Sequence, residues 1–160
     1  MPVETLDDLV QRFDELIGQI PQIVLDGTEV GALDALALVD ERNTQTGVDA
    51  NGTAYTDYTP SYKKRKEDLG RYRGHVDFVL SGQMMASTTT GLENIVATEK
   101  TIAGTTAKVV FDGRDETTRK KIEGNNRKRP GFLLPSKAEV ETASITSTEY
   151  VEERIADYFR

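Results

Sequence analysis

DANGTAYTDYTPSYKKRKEDLGRYRGHVDFVLSGQMMAST, residues Asp49–Thr88, is the stretch on which the reading of this chain turns. It strings together a turn, a short basic helix, an apolar strand and a Ser-Gly-x-Met step. Asn51-Gly52 is the strongest turn signal in the chain. Thr59 offers a capping hydroxyl ahead of Pro60, a residue suited to the first helical position. The helix predicted over Ser61–Leu69 ends at Gly70, which can take the left-handed conformation that closes a helix. His75–Leu80 reads as a strand. Gly82 then lets the backbone turn sharply, so that Leu80 and Met84 reach a core.

Upstream, Thr5 and Asp8 are spaced as a capping pair. Leu6, Leu9, Val10, Phe13, Leu16, Ile17 and Ile20 follow at helical spacing. Gly18 and Pro21 weaken or kink this helix near its end. A second helical pattern runs from Ile23 to Val39. Asp26-Gly27-Thr28 reads as an interruption, with Thr28 able to cap a fresh helix. Both stripes are too wide to leave in water and need a sheet or neighbouring subunits to cover them. Asn43–Asp57 is polar and reads as a loop.

Downstream, strands are predicted around Ser87–Ala97 and Thr105–Phe111, joined by Glu99–Gly104. Asp112-Gly113 turns the chain, and Asp115–Glu123 is a charged helix closed by Gly124. Arg129–Pro135 is an apolar loop between two prolines. Ser136 and Glu139 form a capping box for a final helix, with Thr142–Thr148 as a point of weakness. The expected fold is α+β in one domain over 1–160, with a helical part at 1–43 and an α+β part at 44–160. A small, mostly antiparallel sheet would pack with a long N-terminal helical segment, a short basic helix and a C-terminal helix.

The chain of 160 residues can bury one compact core. Its net charge of -7 argues against a general DNA-coating protein. No run approaches the roughly 18 apolar residues that read as a membrane span. The acidic start MPVETLDD resembles neither a secretory signal nor a transit peptide, so synthesis in the cytoplasm is the expectation. Cysteine is absent and His75 is the single histidine, which excludes disulfides, thiolate sites and multi-imidazole zinc sites.

Charge is unevenly placed. From Met1 to Tyr55, Arg12 and Arg42 are the only basic residues among many carboxylates. Basic residues then cluster at Lys63-Lys64-Arg65-Lys66, Arg119-Lys120-Lys121 and Arg127-Lys128-Arg129. Copies of such a chain can pair acidic end to basic cluster. The clusters can equally be solvated faces.

No constellation points to catalysis. Gly-x-Ser-x-Gly, the P-loop and the dinucleotide fingerprint are all missing. His75 and Asp77 would share a strand face without a nucleophile. Asp49-Ala50-Asn51-Gly52 opens like a calcium loop but lacks the acid at its far end. No catalytic residue, cofactor or metal is assigned. Lys63–Lys66 with Tyr62, Arg71, Tyr72 and Arg73 mixes cations and rings, a composition that suits nucleic acid or subunit salt bridges.

The order of these motifs resembles the virion-morphogenesis and tail-completion proteins of tailed phages, which join a tail to a DNA-filled head. The similarity covers Asp49–Arg160, about two-thirds of the chain. Its turn is Asn51-Gly52 with Tyr55, and its basic helix is Pro60–Lys66. Its step is Leu80–Ser87, and its late loop is Arg129–Ser136. Tyr55 stands where a tryptophan is common, and Pro130-Gly131 separates the loop's arginine from its phenylalanine.

The resemblance implies a structural, non-enzymatic virion protein at the head–tail junction. It would form a homo-oligomeric ring of six subunits, or of twelve, between portal or adaptor and tail proteins. Genomic DNA would pass through the lumen without specific binding, and no membrane is involved. The expected contacts are Lys63, Lys64, Arg65 and Lys66 on the basic helix, Phe132, Leu133 and Leu134 in the late loop, and Tyr158 and Phe159 at the end. Asn51, Gly52 and Gly82 would be structural turns. The alternative function is a nucleic-acid-binding module using the basic clusters.

Overall fold

The computed structural model describes residues 5–78, 95–101, 106–111 and 115–160, the two middle stretches by their backbone alone. Gly82 and the Leu80–Ser87 step lie outside the described residues.

The N-terminal stripes form one helix, α1, spanning Leu6–Gln45 over 40 residues, or about 60 Å at 1.5 Å per residue. Its start is a complete capping box. The Asp8 N–H donates to Thr5 Oγ1 at 3.2 Å, and the Thr5 N–H donates to Asp8 Oδ2 at 2.9 Å. Pro21 sits inside the helix without ending it. Nor does a new helix start at Thr28, whose hydroxyl donates back to the Val24 carbonyl at 2.8 Å.

Asp26-Gly27-Thr28, expected to interrupt the helix, lies within it. The role of Gly27 is tertiary. A Cβ on Gly27 would meet Val151 Cγ2 at 2.6 Å and the Ser147 carbonyl at 3.1 Å. One on Gly31 would meet the Ala143 carbonyl at 2.9 Å. Two glycines four residues apart share one helix face. Here that face admits the backbone of the C-terminal helix.

That helix, labelled α4 below, spans Lys137–Asp157 and runs antiparallel to α1. Arg42 meets Glu139, Asp34 meets Thr146, and Phe13 meets Phe159. Its Thr-rich middle does not break. Thr142, Ser144 and Thr148 donate to the carbonyls of Ala138, Val140 and Ser144 at 2.8–3.1 Å. Hydroxyls that could have favoured a turn are absorbed within the helix.

Between these long elements lie α2, Pro60–Asp68, and α3, Glu116–Lys128. Thr59 makes no side-chain cap, so Pro60 alone marks the start of α2. Its end is a Schellman closure. The Gly70 N–H donates to the Glu67 carbonyl and the Arg71 N–H to that of Lys66, with Gly70 at φ +64. α3 begins where Asp115 accepts from the Thr118 N–H at 2.8 Å, and it continues through Gly124, where an end was expected.

The expected sheet is the main correction. The described residues are mostly helical, and the strands among them form no more than a ribbon, which lies against α1. Among the described residues, strand pairing is confined to a two-stranded antiparallel ribbon, β1 Ile95–Thr101 with β2 Thr106–Phe111, and one isolated bridge, Val48 to Ala54. A single ribbon cannot supply a layer of its own. The chain is therefore not an α+β domain built on a sheet. Part of the apolar face of α1, for which a sheet or neighbouring subunits were the expected cover, is met by helix α4.

His75–Phe78 is not a strand either. Phe78 has φ +55, a conformation that extended pairing does not use. Val76, Phe78, Ile122 and Phe132 form a buried cluster, with Tyr55, Tyr58 and Leu133 packed against it.

Candidate functional site

The last turn of α1 organises the region the motifs occupy. Arg42 spreads its guanidinium over three segments. Nε donates to Glu139 Oε1 at 2.7 Å, Nη1 to the Val48 carbonyl at 2.8 Å, and Nη2 to the Leu134 carbonyl at 2.8 Å. Asn43, fully buried, donates to the Phe132 carbonyl at 2.7 Å and accepts from the Tyr55 hydroxyl at 2.7 Å. Two adjacent side chains thus tie the 47–55 turn, the 129–136 loop and the start of α4 together. Burial pushes the Glu139 carboxyl up, but its bonds to Arg42 and Ser136 prevail and hold it below the usual carboxylate range.

The turn itself is built by Asp49. Its Oδ1 accepts from the N–H groups of Asn51 and Thr53 at 2.8 and 2.9 Å, and Gly52 takes φ +80. Gly47, at φ +67, lies where a Cβ would strike the His75 ring at 2.8 Å. The imidazole Nε2 donates to the Thr44 carbonyl at 3.1 Å.

Lys66 belongs to the core. It is fully buried and ion-paired with the equally buried Asp77, while Tyr58 donates to Asp77 Oδ1 at 2.9 Å. The Tyr58 oxygen accepts from the N–H groups of Asp77 and Phe78 at 3.1 and 3.0 Å, which holds Phe78 in its left-handed backbone. Burial, then the Asp77 charge, push the Tyr58 phenol far above its ordinary value. Asp77 is therefore occupied by structure and does not form an acid–base pair with His75.

The other expected contact residues separate by exposure. Lys64 and Arg65 are exposed, and Lys63 pairs with Asp57 at 3.2 Å beneath the Tyr72 ring. Phe132 is fully buried, stacked on Phe78 at 4.9 Å between centroids. Leu133 is half-buried, and Leu134 is 63% exposed. Tyr158 is half-buried at the far end of the helix pair, with Phe159 exposed beside Phe13 at 5.2 Å.

That far end carries an apolar surface. Leu6, Leu9, Val10, Phe13, Ile17 and Ile20 are all exposed. At 3.6 residues per turn they fall on one stripe about 100° wide. Asp7, Asp8, Asp14 and Glu15 lie outside the stripe on the same turns. A stripe this continuous marks an interaction surface rather than scattered exposure.

A cleft of about 540 Å³ opens between α2 and α3. Tyr58, Tyr62 and Phe78 lie along it, and Lys120, Lys121, Lys128 and Arg129 bring positive charge to it. Arg129 donates to the Thr56 carbonyl at 2.7 Å and covers the rings of Tyr58 and Phe78 at 5.7 and 5.6 Å.

Sequence reasoning missed Arg42, Asn43 and the Lys66–Asp77 pair as organisers. The signal for the first two was faint: one of only two basic residues among the first 55, next to an amide, at the end of an apolar stripe. Nothing local marks Lys66 as different from Lys63, Lys64 and Arg65.

The chain matches no protein-family model, and neither a curated protein nor a solved structure matches it.

Proposed function

We propose that this chain is a structural protein of a tailed-phage virion, a ring component that joins the portal region to the tail. Adhesion is its mechanism, and it has no catalytic role. The observation that carries this reading is the exposed apolar stripe on the first turns of α1, continued by Phe159. The order of the Asn51-Gly52 turn, the basic helix and the Arg129–Ser136 loop supports it, and the turn and the loop meet at the Arg42–Asn43 junction.

The occupant of the stripe is a neighbouring copy. Carboxylates dominate the first 55 residues and basic clusters follow, so acidic α1 of one subunit suits α2 and α3 of the next. Such head-to-tail contacts close into a ring when the rotation permits. The six- or twelve-fold count belongs to the same proposal. The protein would be made in the host cytoplasm and retained in the virion. Carboxylates facing the lumen would let genomic DNA slide without exchanging counterions at each step.

The test is electron microscopy and mass measurement of the purified chain, alone and with portal-bearing heads. Rings, or stoichiometric addition to the heads, are expected, and Phe13→Glu with Ile17→Glu should abolish both. A chain that stays monomeric and leaves heads unbound at every concentration overturns the reading.

A further inference from the structure

The ring reading uses only the net positive charge of α2 and α3, whereas the cleft between them has a lining with its own chemistry. We propose that it binds a nucleotide, with the base on Tyr62 and the phosphate on the cations of α3. At about 540 Å³ it falls within the roughly 300–1,000 Å³ of small-ligand sites. Arg129 already covers Tyr58 and Phe78, which leaves the base to Tyr62, a half-buried ring tilted against Tyr58 at 4.9 Å between centroids. Stacking on an aromatic ring stabilises a bound base by about 1–3 kcal/mol.

Charge selects the same ligand. Lys120 and Lys128 are exposed at the cleft, with Lys121 half-buried beside them. The one carboxylate of the lining, Asp57, is neutralised by Lys63 at 3.2 Å. Lys120 pairs with Glu116 at 2.6 Å, but both are exposed, and a pair of that kind is easily exchanged for a phosphate.

Gly124 adds an independent observation. It lies inside α3, where glycine costs about 1 kcal/mol relative to alanine. A Cβ there would meet nothing within 4 Å, so no packing requirement accounts for it. What it preserves is room, because Gly124 lines the cleft.

The ligand could arrive as a free nucleotide or as part of a single strand. Calorimetric titration at low salt would compare AMP, adenosine, inorganic phosphate and a dT strand of about ten nucleotides. AMP or the strand should bind about tenfold more tightly than adenosine or phosphate, which contribute only one half of the recognition. A response to AMP supports the free nucleotide, and a response to the strand alone supports the polymer.

Tyr62→Ala and Lys128→Glu should each weaken binding about tenfold. Gly124→Leu should abolish it while the urea midpoint holds or rises, and Gly124→Ala should weaken it with a raised midpoint. The proposal is overturned if neither AMP nor the strand binds, if phosphate binds as well as AMP, or if Gly124→Leu leaves binding unchanged. Ring assembly is read separately, by microscopy, and Tyr62→Ala and Gly124→Leu leave the charge of α2 and α3 unchanged, so the two readings fail independently.

Discussion

Arg42 and Glu139 stand 97 residues apart in sequence, and their side chains meet at 2.7 Å, each about 11% exposed. Glu139 uses its second oxygen to accept from the Ser136 N–H at 2.6 Å, so one carboxylate both caps α4 and clamps it to α1. Removing one partner of such a pair leaves an uncompensated charge and costs about 3–5 kcal/mol. Arg42→Leu should lose that much in urea denaturation. Arg42→Lys should recover only part of it, because an ammonium cannot reach the Val48 and Leu134 carbonyls together.

The same carboxylate makes stability depend on pH. Its folded value lies below the unfolded value of about 4.3. The contribution is therefore complete above the unfolded value and is lost as pH falls through the folded value. Glu139→Gln should be less stable than the parent at pH 7, and the gap should narrow as pH falls below the unfolded value and through the lower folded one. Thermal melts across that range would show a pH-independent gap if Glu139 were not the titrating group.

Lys66 and Asp77 should behave as one unit. Lys66→Met alone strands a buried carboxylate and should cost about 3–5 kcal/mol. The double variant Lys66→Met with Asp77→Leu should cost clearly less than the sum of the singles. A double-mutant cycle in urea measures the coupling, and additive losses would contradict the pairing.

Glycines in α1 should divide by what lies over them. Gly18 has nothing within 4 Å of a Cβ, so Gly18→Ala should stabilise by up to about 1 kcal/mol. Gly27→Ala drives a methyl into Val151 and the α4 backbone, and should destabilise by about 1–3 kcal/mol. Equal effects at the two positions would mean that α4 does not cross α1 at Gly27.

Neighbours in the late loop should differ as sharply. Phe132→Ala removes a ring stacked in the core and should cost about 3–5 kcal/mol. Leu134→Ala, at an exposed position, should stay within about 0.5 kcal/mol. A loss of assembly in Leu134→Ala with unchanged melting would identify a contact. The same loss in Phe132→Ala reports on folding first.

Features that depend on residues within one turn of each other were legible in the sequence. The Thr5–Asp8 and Ser136–Glu139 boxes start their helices, Pro60 and Gly70 bound α2, and Gly52 turns the chain at positive φ. Each is a short-range bond or a backbone preference, written in residues that sit side by side. What a residue packs against was not legible. Gly27 reads as a break until α4 is laid over it, and Lys66 reads as one cation of four until Asp77 is brought beside it. The expected sheet failed for the same reason, since an apolar stripe requires cover but does not name the element that supplies it. Local sequence determined the capping boxes of α1 and α4, the bounds of α2 and the turn at Gly52. Only the tertiary structure decided that α1 is continuous and which charge is buried, because both depend on groups brought together from distant parts of the chain.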